Sequence, residues 1–253
     1  MTYWNAVLLG LVQGVAEFLP ISSSGHLAVL QNFLAIGDME NHMLFDVLLH
    51  LGTLAAVILA FWKDVREVVT EFARMLHIRR TPRGLRPNRR ERRLISFLII
   101  ATLPLIPAAF LSNVVESLYQ NTFFIGFAFI LTGFLLFAAD RMGHGNKDER
   151  SSTTADALVV GLAQAVAVVP GLSRSGTTIT ACLLCGFEKK FAVKYSFIMS
   201  IPAVLGAVVL ELKDVAKAPL QASAVPACAV ATVISAIVGY LSICIMMRLI
   251  QGK

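Results

Sequence analysis

Long apolar stretches, separated by short polar segments, dominate the pattern of this chain. A helix needs about 20 mostly apolar residues to cross the hydrocarbon core of a bilayer. The stretches that meet or approach this length are Leu44–Trp62, Leu94–Leu111, Thr122–Ala139, Tyr195–Leu210 and Ala222–Met247. Each is predicted to be a membrane-spanning helix. Pro104 and Pro107 fall inside the second stretch, and we expect them to kink it.

Composition supports a lipid environment for much of the surface. Of the 253 residues, 57% are hydrophobic and 15% are charged, whereas a soluble domain carries roughly a quarter charged residues. The fold class predicted is therefore all-α, a polytopic membrane protein. The N-terminus lacks the basic region and cleavage pattern of a signal peptide, so the first apolar segment is expected to remain in the protein.

The distribution of basic residues orients the predicted helices. The net charge is +6, and eleven of the 22 Lys and Arg residues lie between Lys63 and Arg93. Since this segment joins two predicted spans, the excess of positive charge predicts a cytoplasmic loop over residues 63–93. Contact of this loop with anionic lipid headgroups is a secondary expectation. We expect no nucleic-acid partner.

Two shorter apolar stretches, Tyr3–Leu19 and Ala155–Val169, each run into a break rich in Pro, Gly and Ser. The breaks are Leu19–Gly25 and Val169–Gly176, and a second short apolar stretch follows each of them. Non-helical backbone is tolerated at membrane depth only where protein or a water-filled cavity surrounds it. Both segments are therefore predicted to form re-entrant helical hairpins.

The two breaks also resemble each other. A shift of 151 residues gives eight identities in the sixteen positions from Gly10 to Gly25. The identical pairs are Gly10/Gly161, Leu11/Leu162, Gln13/Gln164, Val15/Val166, Ala16/Ala167, Ser22/Ser173, Ser24/Ser175 and Gly25/Gly176. Internal duplication is the better explanation, and the charge-based topology makes the halves inverted repeats.

The predicted repeats differ in their number of spans. The first repeat, residues 1–140, contains a hairpin and three spanning helices, whereas the second, residues 151–253, contains a hairpin and two. We therefore expect that a terminal helix is missing from this sequence or has been lost in this protein.

Glu17 is the first candidate for chemistry. It lies four residues after Gln13, so the two share a helix face, and an ionisable group in a membrane segment is a functional candidate by default. The alternative is that Glu17 only caps or pairs within the helix bundle. His26 follows the same break and has two interpretations as well, a functional group or a satisfied buried histidine.

The serine-rich segments Ser22–Gly25 and Ser173–Gly176 each precede an apolar helical stretch. Free N–H groups at the start of a helix favour anions, and Arg174 adds a guanidinium suited to phosphate. Ordinary helix capping would explain the serines but not an arginine in such a segment. Together these residues predict an anionic, phosphate-bearing ligand.

Two further groups of residues have less specific interpretations. Asp46 and His50 lie one helical turn apart, and they either reach the site or form a rim or packing pair. Four cysteines, Cys182, Cys185, Cys228 and Cys244, lie in apolar surroundings. No second CxxC pair or nearby histidine completes a metal set, so we expect small buried apolar residues.

Three motifs resemble those of bacterial undecaprenyl-diphosphate phosphatases, also called bacitracin-resistance proteins. They are Gln13-x-x-x-Glu17, Ser22-Ser23-Ser24-Gly25-His26 and Pro170-Gly171-x-Ser173-Arg174-Ser175-x-x-Thr178. The resemblance covers essentially the whole chain in motif order and spacing. It implies hydrolysis of the terminal phosphate of undecaprenyl diphosphate, with a divalent cation, Mg²⁺ or Ca²⁺. It also implies a multi-pass protein of the bacterial plasma membrane, with a site opening to the outer face.

With this resemblance, roles can be assigned as hypotheses. Arg174, Ser173 and Ser175 hold the diphosphate, while Glu17 and Gln13 position the cation. Either Ser23 is the nucleophile with His26 as its base, or His26 attacks directly. The remaining residues expected to bind substrate are Ser22, Ser24, Gly25, Gly176 and Thr178.

The main rival is a transporter or flippase of a lipid phosphate or small anion, since inverted repeats with hairpins are typical of transporters. The concentration of Ser, His, Glu and Arg in two motifs favours the enzyme. A homodimer is also compatible with the sequence.

Overall fold

The computed structural model describes residues 2–34, 39–76, 88–119, 121–142, 145–215 and 224–251. These residues form α-helices and, within the described ranges, no β-strand. The helices are α1 (Tyr3–Ala16), α2 (Ser23–Phe33), α3 (Met39–Ala60), α4 (Trp62–Met75), α5 (Arg89–Thr102), α6 (Leu105–Ala109), α7 (Ser112–Tyr119), α8 (Thr122–Asp140), α9 (Thr154–Val166), α10 (Arg174–Leu184), α11 (Lys189–Val215) and α12 (Val225–Gln251).

Within the described ranges, four helical segments are long and apolar enough to cross a membrane. They are Arg89–Ala109, Thr122–Asp140, Lys189–Leu210 and Val225–Ile250. A fifth span is obtained when Phe45–Ala60 is taken together with Trp62–Met75, from which it is bent by 91°. The prediction of an all-α, polytopic membrane protein is confirmed, and each of the five predicted stretches coincides with one of these segments.

The two prolines break the second predicted span. α5 ends at Thr102, Pro104 is the N-cap residue of α6, and α6 ends at Ala109. Because proline lacks an N–H group and clashes with the preceding helical turn, a helix cannot continue through Pro104 undisturbed. The expected kink at this position is confirmed.

The predicted cytoplasmic loop over residues 63–93 is helical in part, and its cytoplasmic position stays a prediction. α4 occupies the first part of this segment, and α5 begins at Arg89. The physical reason is a helical spacing of apolar residues: Val65 and Val68 pack partly buried against the core. Residues 77–87, which carry four of the arginines, lie outside the described residues.

The four cysteines are free. Cys182 and Cys228 are buried, whereas Cys185 and Cys244 are half-buried. The expectation of small buried residues therefore holds fully for the first two and partly for the others.

Each predicted hairpin is a pair of short helices in contact, α1 with α2 and α9 with α10. Each hairpin also packs closely on a spanning helix at a glycine. A Cβ atom added to Gly10 would lie 2.7 Å from the carbonyl oxygen of Ala231 in α12. One added to Gly161 would lie 2.6 Å from the carbonyl oxygen of Ala101 in α5. The duplicated glycines thus make the same close helix contact in both halves.

The breaks of the two hairpins lie against each other. A Cβ atom on Gly25 would lie 3.0 Å from the Cα atom of Gly171, and one on Gly176 would lie 3.2 Å from the Cβ atom of Pro20. The 151-residue shift exchanges these two contacts, since it aligns Pro20 with Gly171 and Gly25 with Gly176. Such an exchange is the relationship expected of inverted repeats about an approximate two-fold axis. The boundaries 1–140 and 151–253 stay a prediction.

Helix α8 supports both breaks from one side. Its Thr132 hydroxyl donates a hydrogen bond to the carbonyl of Gly171 (3.1 Å) and accepts one from the N–H of Ser173 (3.1 Å). On the same helix, the ring of Phe129 lies 4.9 Å from that of His26. The irregular backbone of the second break is thus satisfied within the protein, as its position at membrane depth requires.

Candidate active site

Each break ends in a serine N-cap that starts the second helix of its hairpin. The Ser22 hydroxyl accepts a hydrogen bond from the N–H of Gly25 (3.4 Å), and the Ser173 hydroxyl accepts one from the N–H of Gly176 (3.1 Å). Ser22 has φ of 69°, which is rare for a residue with a side chain. Backbone of this kind costs roughly 1–3 kcal/mol and is concentrated at functional sites.

Hydroxyl groups also pair across each helix start. Ser22 and Ser24 lie 3.4 Å apart, and Ser173 and Ser175 lie 3.2 Å apart, measured between their Oγ atoms. The Ser175 hydroxyl in addition donates to the carbonyl of Leu19 (3.5 Å), which joins the second hairpin to the first. The two predicted serine clusters therefore form one continuous polar region where both helix N-termini provide donors for an anion.

Glu17 is the charged centre of this region. Its side chain is only 5% exposed. The Arg174 guanidinium donates to Oε1 of Glu17, and the Ser23 hydroxyl donates to Oε2 (2.5 Å). A carboxylate from one hairpin is thus held by a serine of its own hairpin and by an arginine of the other.

Gln13 lies on the same helix face as Glu17, as the spacing of four residues predicts. Its Nε2 group donates to Glu17 Oε2 (3.2 Å) and to the Thr53 hydroxyl (3.5 Å). Its Oε1 atom is buried and has no partner among the described residues.

The alternatives left open for Asp46 and His50 can now be compared. His50 Nε2 lies 3.8 Å from Glu17 Oε2, and its Nδ1 lies 2.8 Å from the carbonyl oxygen of Asp46. Asp46 accepts a hydrogen bond from Gln31 (2.8 Å). His50 therefore reaches the site, while Asp46 orients it through the backbone and bonds to a neighbouring helix. Thr53, one turn further on, was missed by the sequence analysis.

His26 lies at the first break, and among the described residues no hydrogen bond joins it to Ser23. Its Nδ1 lies 2.8 Å from the carbonyl oxygen of Ser22, and its ring stacks at an angle on Phe129. Within the described part of the chain, the acceptor of the Ser23 hydroxyl is Glu17. Of the two residues, Glu17 is therefore the one that already accepts a hydrogen bond from the Ser23 hydroxyl.

Thr178 lies one helical turn after Arg174 on α10 and bonds to the backbone of Arg174, not to its side chain. It is fully buried, and its hydroxyl bonds to the Ser196 hydroxyl (2.7 Å) and to the carbonyl of Arg174 (2.8 Å). These contacts attach the first turn of α10 to α11. A direct contact of Thr178 with a ligand stays a prediction.

Two buried groups on α10 have no hydrogen-bond partner among the described residues. They are Arg174 Nη1 and Thr177 Oγ. An unsatisfied buried group costs about 1–3 kcal/mol, so both indicate that a ligand with acceptor atoms belongs here. The sequence analysis did not select Thr177, although the 151-residue shift aligns it with His26 and could have indicated it.

The residues present fit a divalent cation only in part. No group of three or more His, Cys, Asp or Glu side chains capable of holding a metal occurs among the described residues. Glu17 and the unpartnered Gln13 Oε1 are nevertheless oxygen ligands of the kind that Mg²⁺ and Ca²⁺ prefer. Such a cation fits here if phosphate oxygens and water complete its coordination, as is usual for Mg²⁺.

The chain is similar to proteins of one family over nearly its whole length. The model of the family described as bacitracin resistance protein BacA matches residues 6–253. A protein of Alkaliphilus metalliredigens named undecaprenyl-diphosphatase is 45% identical over 85% of this chain and 78% of the relative. Proteins of the same name from Methanosphaera stadtmanae and Halothermothrix orenii are 38% and 34% identical, over 98% and 100% of this chain and 90% and 92% of the relatives.

Proposed function

The chain belongs to the bacitracin resistance protein BacA family, and from this membership and the geometry of the site we propose how it acts as an undecaprenyl-diphosphatase. It hydrolyses undecaprenyl diphosphate to undecaprenyl phosphate and inorganic phosphate, and so recycles the lipid carrier of cell-wall synthesis. The observation that carries the mechanism is the convergence of Ser23 and Arg174 on Glu17. The three relatives above are all named for this phosphatase activity, which the transporter alternative does not explain.

The terminal phosphate binds at the paired helix N-termini. The unpartnered Arg174 Nη1 and Thr177 Oγ donate to its oxygens, together with the Ser173 and Ser175 hydroxyls at the start of the same helix. Donors fixed in advance stabilise charge that develops during phosphoryl transfer, because they need no reorganisation. Ser22, Ser24 and Gly25 form the equivalent cradle on the first hairpin, and Gly176 lets that hairpin approach closely.

Ser23 is the nucleophile in this mechanism. Its oxygen bonds to the terminal phosphorus while the bond from phosphorus to the bridging oxygen breaks, and undecaprenyl phosphate leaves with that electron pair. The serine proton passes to Glu17, which already accepts the hydrogen bond from this hydroxyl (2.5 Å). Water then hydrolyses the phosphoserine, one proton of the water returns to the serine oxygen, and Glu17 releases its proton to solvent.

His26 is assigned a different role from the base expected in the sequence analysis. Its Nδ1 is engaged with the backbone of Ser22, so it supports the strained N-cap residue next to the nucleophile. The alternative is direct attack by His26, with a phosphohistidine intermediate. Trapping of the phosphorylated protein distinguishes it from attack by Ser23.

A divalent cation, Mg²⁺ or Ca²⁺, would be held by Glu17 and Gln13 Oε1 together with phosphate oxygens of the substrate. When bound, it would supply positive charge against the diphosphate. Arg174 supplies charge from the opposite hairpin and neutralises Glu17 when substrate is absent.

The membrane-spanning helices and the charge distribution support a proposal for the setting of the reaction. The protein lies in the bacterial plasma membrane, with the basic residues 63–93 on the cytoplasmic side and the site open to the outer face. The polyprenyl diphosphate reaches it from the bilayer. A homodimer stays a prediction.

The test is phosphate release from undecaprenyl diphosphate by the purified full-length chain in detergent, with and without EDTA. Glu17→Gln and Arg174→Lys are compared with Glu188→Gln and Arg150→Gln, which change exposed residues elsewhere. We expect release that EDTA abolishes and added Mg²⁺ or Ca²⁺ restores. Arg174→Lys should lose a factor of about 10²–10³ in kcat, the effect of removing one transition-state donor. Glu17→Gln should lose about 10²–10⁴, the effect of removing a general base.

The control variants should retain activity within a factor of about two, since exposed charges have little effect on a distant site. Activity in EDTA equal to that with cation would contradict the role of the metal. Full activity of a folded Glu17→Gln protein would contradict the role of Glu17.

A further inference from the structure

Helix α4 is oriented like a helix that lies on a membrane surface. It follows α3 after a bend of 91° at Phe61. α3 has 22 residues, enough to cross the hydrocarbon core without α4. With α3 as the span, the bend of 91° directs α4 roughly parallel to the bilayer plane, at the level where α3 leaves the core. Its length, 14 residues, places one long face of the helix along this plane.

That face is apolar and uncovered. The exposed residues Trp62, Val69, Phe72 and Leu76 follow each other at spacings of seven, three and four, so they share one side of the helix. Their exposed fractions are 56%, 59%, 42% and 54%. An amphipathic helix with such a face, and with a tryptophan at one end, is typical of the interface between headgroups and acyl chains.

The opposite side of α4 is attached to the protein by ion pairs. Asp64 Oδ1 lies 2.5 Å from Lys194 Nζ of α11, and Glu71 Oε1 lies 2.8 Å from Arg92 Nε of α5. Glu71 is 2% exposed and also pairs with Arg74. These pairs fix the rotation of α4 about its own axis, so the apolar face cannot turn inward.

Two cations lie on one side of the apolar face. Lys63 and Arg66 are exposed, and no carboxylate lies within ion-pair distance of either among the described residues. With 100° between successive residues around the helix axis, Arg66 lies at the edge of the apolar face, and Lys63 lies further round the helix in the same direction. Glu67 lies beyond both. The cavity of about 510 Å³ between α4 and α5 has a lining of balanced charge, formed by Lys63, Arg66 and Arg74 with Glu67, Glu71 and Glu91. The cavity itself therefore favours no anion.

We propose that α4 binds the surface of a bilayer leaflet that contains anionic phospholipids. The side chains of Trp62, Val69, Phe72 and Leu76 enter the boundary between headgroups and acyl chains. Lys63 and Arg66 pair with the phosphates of anionic headgroups, an attraction of roughly five-fold in affinity for each cation near the surface. This inference concerns a surface separate from Glu17 and Arg174, so it does not depend on the proposed catalytic activity.

The test uses the fluorescence of Trp62. The sequence has two tryptophans, so Trp4→Phe leaves Trp62 as the only one, in a full-length chain. The protein is reconstituted into vesicles that contain equal amounts of phosphatidylcholine and phosphatidylglycerol, with bromine on the acyl chains of one lipid or the other. Brominated lipid should quench Trp62, and brominated phosphatidylglycerol should quench more strongly, with an enrichment next to Trp62 of about two- to five-fold.

Lys63→Gln/Arg66→Gln should lower this enrichment to one, while quenching by brominated lipid persists. About 0.5 M salt should have the same effect on the parent protein, because salt screens the attraction at the surface. Arg141→Gln/Arg150→Gln removes the same charge from exposed positions elsewhere and should keep the enrichment. Equal quenching by both lipids in the parent protein would overturn the preference for anionic lipid. Trp62 quenched by acrylamide but not by lipid would overturn the membrane contact, and protection from both quenchers would indicate a protein partner instead.

Discussion

Ser23 and Arg174 stand at equivalent positions of the two breaks, and they donate to opposite oxygens of one carboxylate, that of Glu17. The position equivalent to Glu17 in the second half is Val168. Duplication thus provided two similar breaks, and divergence at these pairs gave one half the carboxylate and the serine and the other half the arginine. A single site results, in which neither hairpin is sufficient alone.

The assignment of the nucleophile predicts a phosphorylated serine. Brief exposure to undecaprenyl diphosphate labelled in its terminal phosphate, followed by acid quenching, should leave label on Ser23, stable in acid as a phosphoserine is. Ser23→Ala should leave no label and should lower kcat by a factor of about 10⁴ or more, because the first bond to phosphorus cannot form.

The measurement is mass spectrometry of two samples of the labelled protein, one quenched in acid and the other in alkali. Label on His26, which would be lost in acid and retained in alkali, would replace Ser23 by the alternative nucleophile. The absence of label on both residues, while turnover proceeds, would exclude a covalent intermediate on either of them.

The identity of the base predicts an inequality between two variants. If Glu17 accepts the serine proton, as the 2.5 Å contact indicates, Glu17→Gln should lose a factor of about 10²–10⁴ in kcat. His26→Gln can still donate to the carbonyl of Ser22, and it should lose about ten-fold or less. Parallel measurement of kcat for both variants decides between them, and a larger loss in His26→Gln would return the role of base to the histidine.

Thr177 should contribute to substrate binding without contributing to stability. Its hydroxyl has no partner in the protein, so Thr177→Val, which keeps the shape, should unfold at the same or a higher temperature. A lost hydrogen bond to a charged phosphate is worth about 1.5–3 kcal/mol, so kcat/KM should fall about ten- to 100-fold.

Thr177→Ser retains the hydroxyl and should recover most of this loss. If Thr177→Val leaves kcat/KM unchanged, the unpartnered hydroxyl is not a phosphate ligand. If the valine variant is less stable than the parent, the threonine has a structural role instead.

The parts of the fold that depend on local pattern could be predicted from the sequence. The apolar stretches gave the spans, and Pro104 gave the interruption between α5 and α6, because proline acts within one turn of its own position. The duplicated Ser22 and Ser173 identified the two helix starts. The charge of residues 63–93 predicts their position between two spans but not their conformation, and the helix α4 depends on the spacing of Val65 and Val68.

The site itself could be predicted only as a set of residues. Glu17, Ser23 and Arg174 were selected, but their pairing depends on how the two hairpins meet, 157 residues apart in the case of Glu17 and Arg174. Thr53 and Thr177 were not selected, because a threonine in an apolar helix has no distinctive pattern. Only the three-dimensional contacts show that Thr53 bonds to Gln13 and that the Thr177 hydroxyl lacks a partner.

The close packing of the hairpins predicts a pair of matched stability effects. Gly10→Ala and Gly161→Ala would each place a methyl group within 2.7 Å of a backbone carbonyl oxygen on the facing helix. Backbone cannot yield as a flexible side chain can, so each substitution should cost about 1–3 kcal/mol through overpacking. Thermal unfolding in detergent should therefore occur lower by about 2–4 °C for each kcal/mol.

Gly126→Ala in α8 is the control, since a Cβ atom there meets nothing within 4 Å. Replacing this helical glycine should raise stability by about 0.5–1 kcal/mol, because alanine loses less conformational entropy on folding. If all three variants shift in the same direction, the effect is one of helix propensity and the close contacts are not rigid. Because Gly10 and Gly161 make equivalent contacts, their two losses should also agree with each other within about 1 kcal/mol. A loss at one glycine only would show that the two hairpins are not held in the same way.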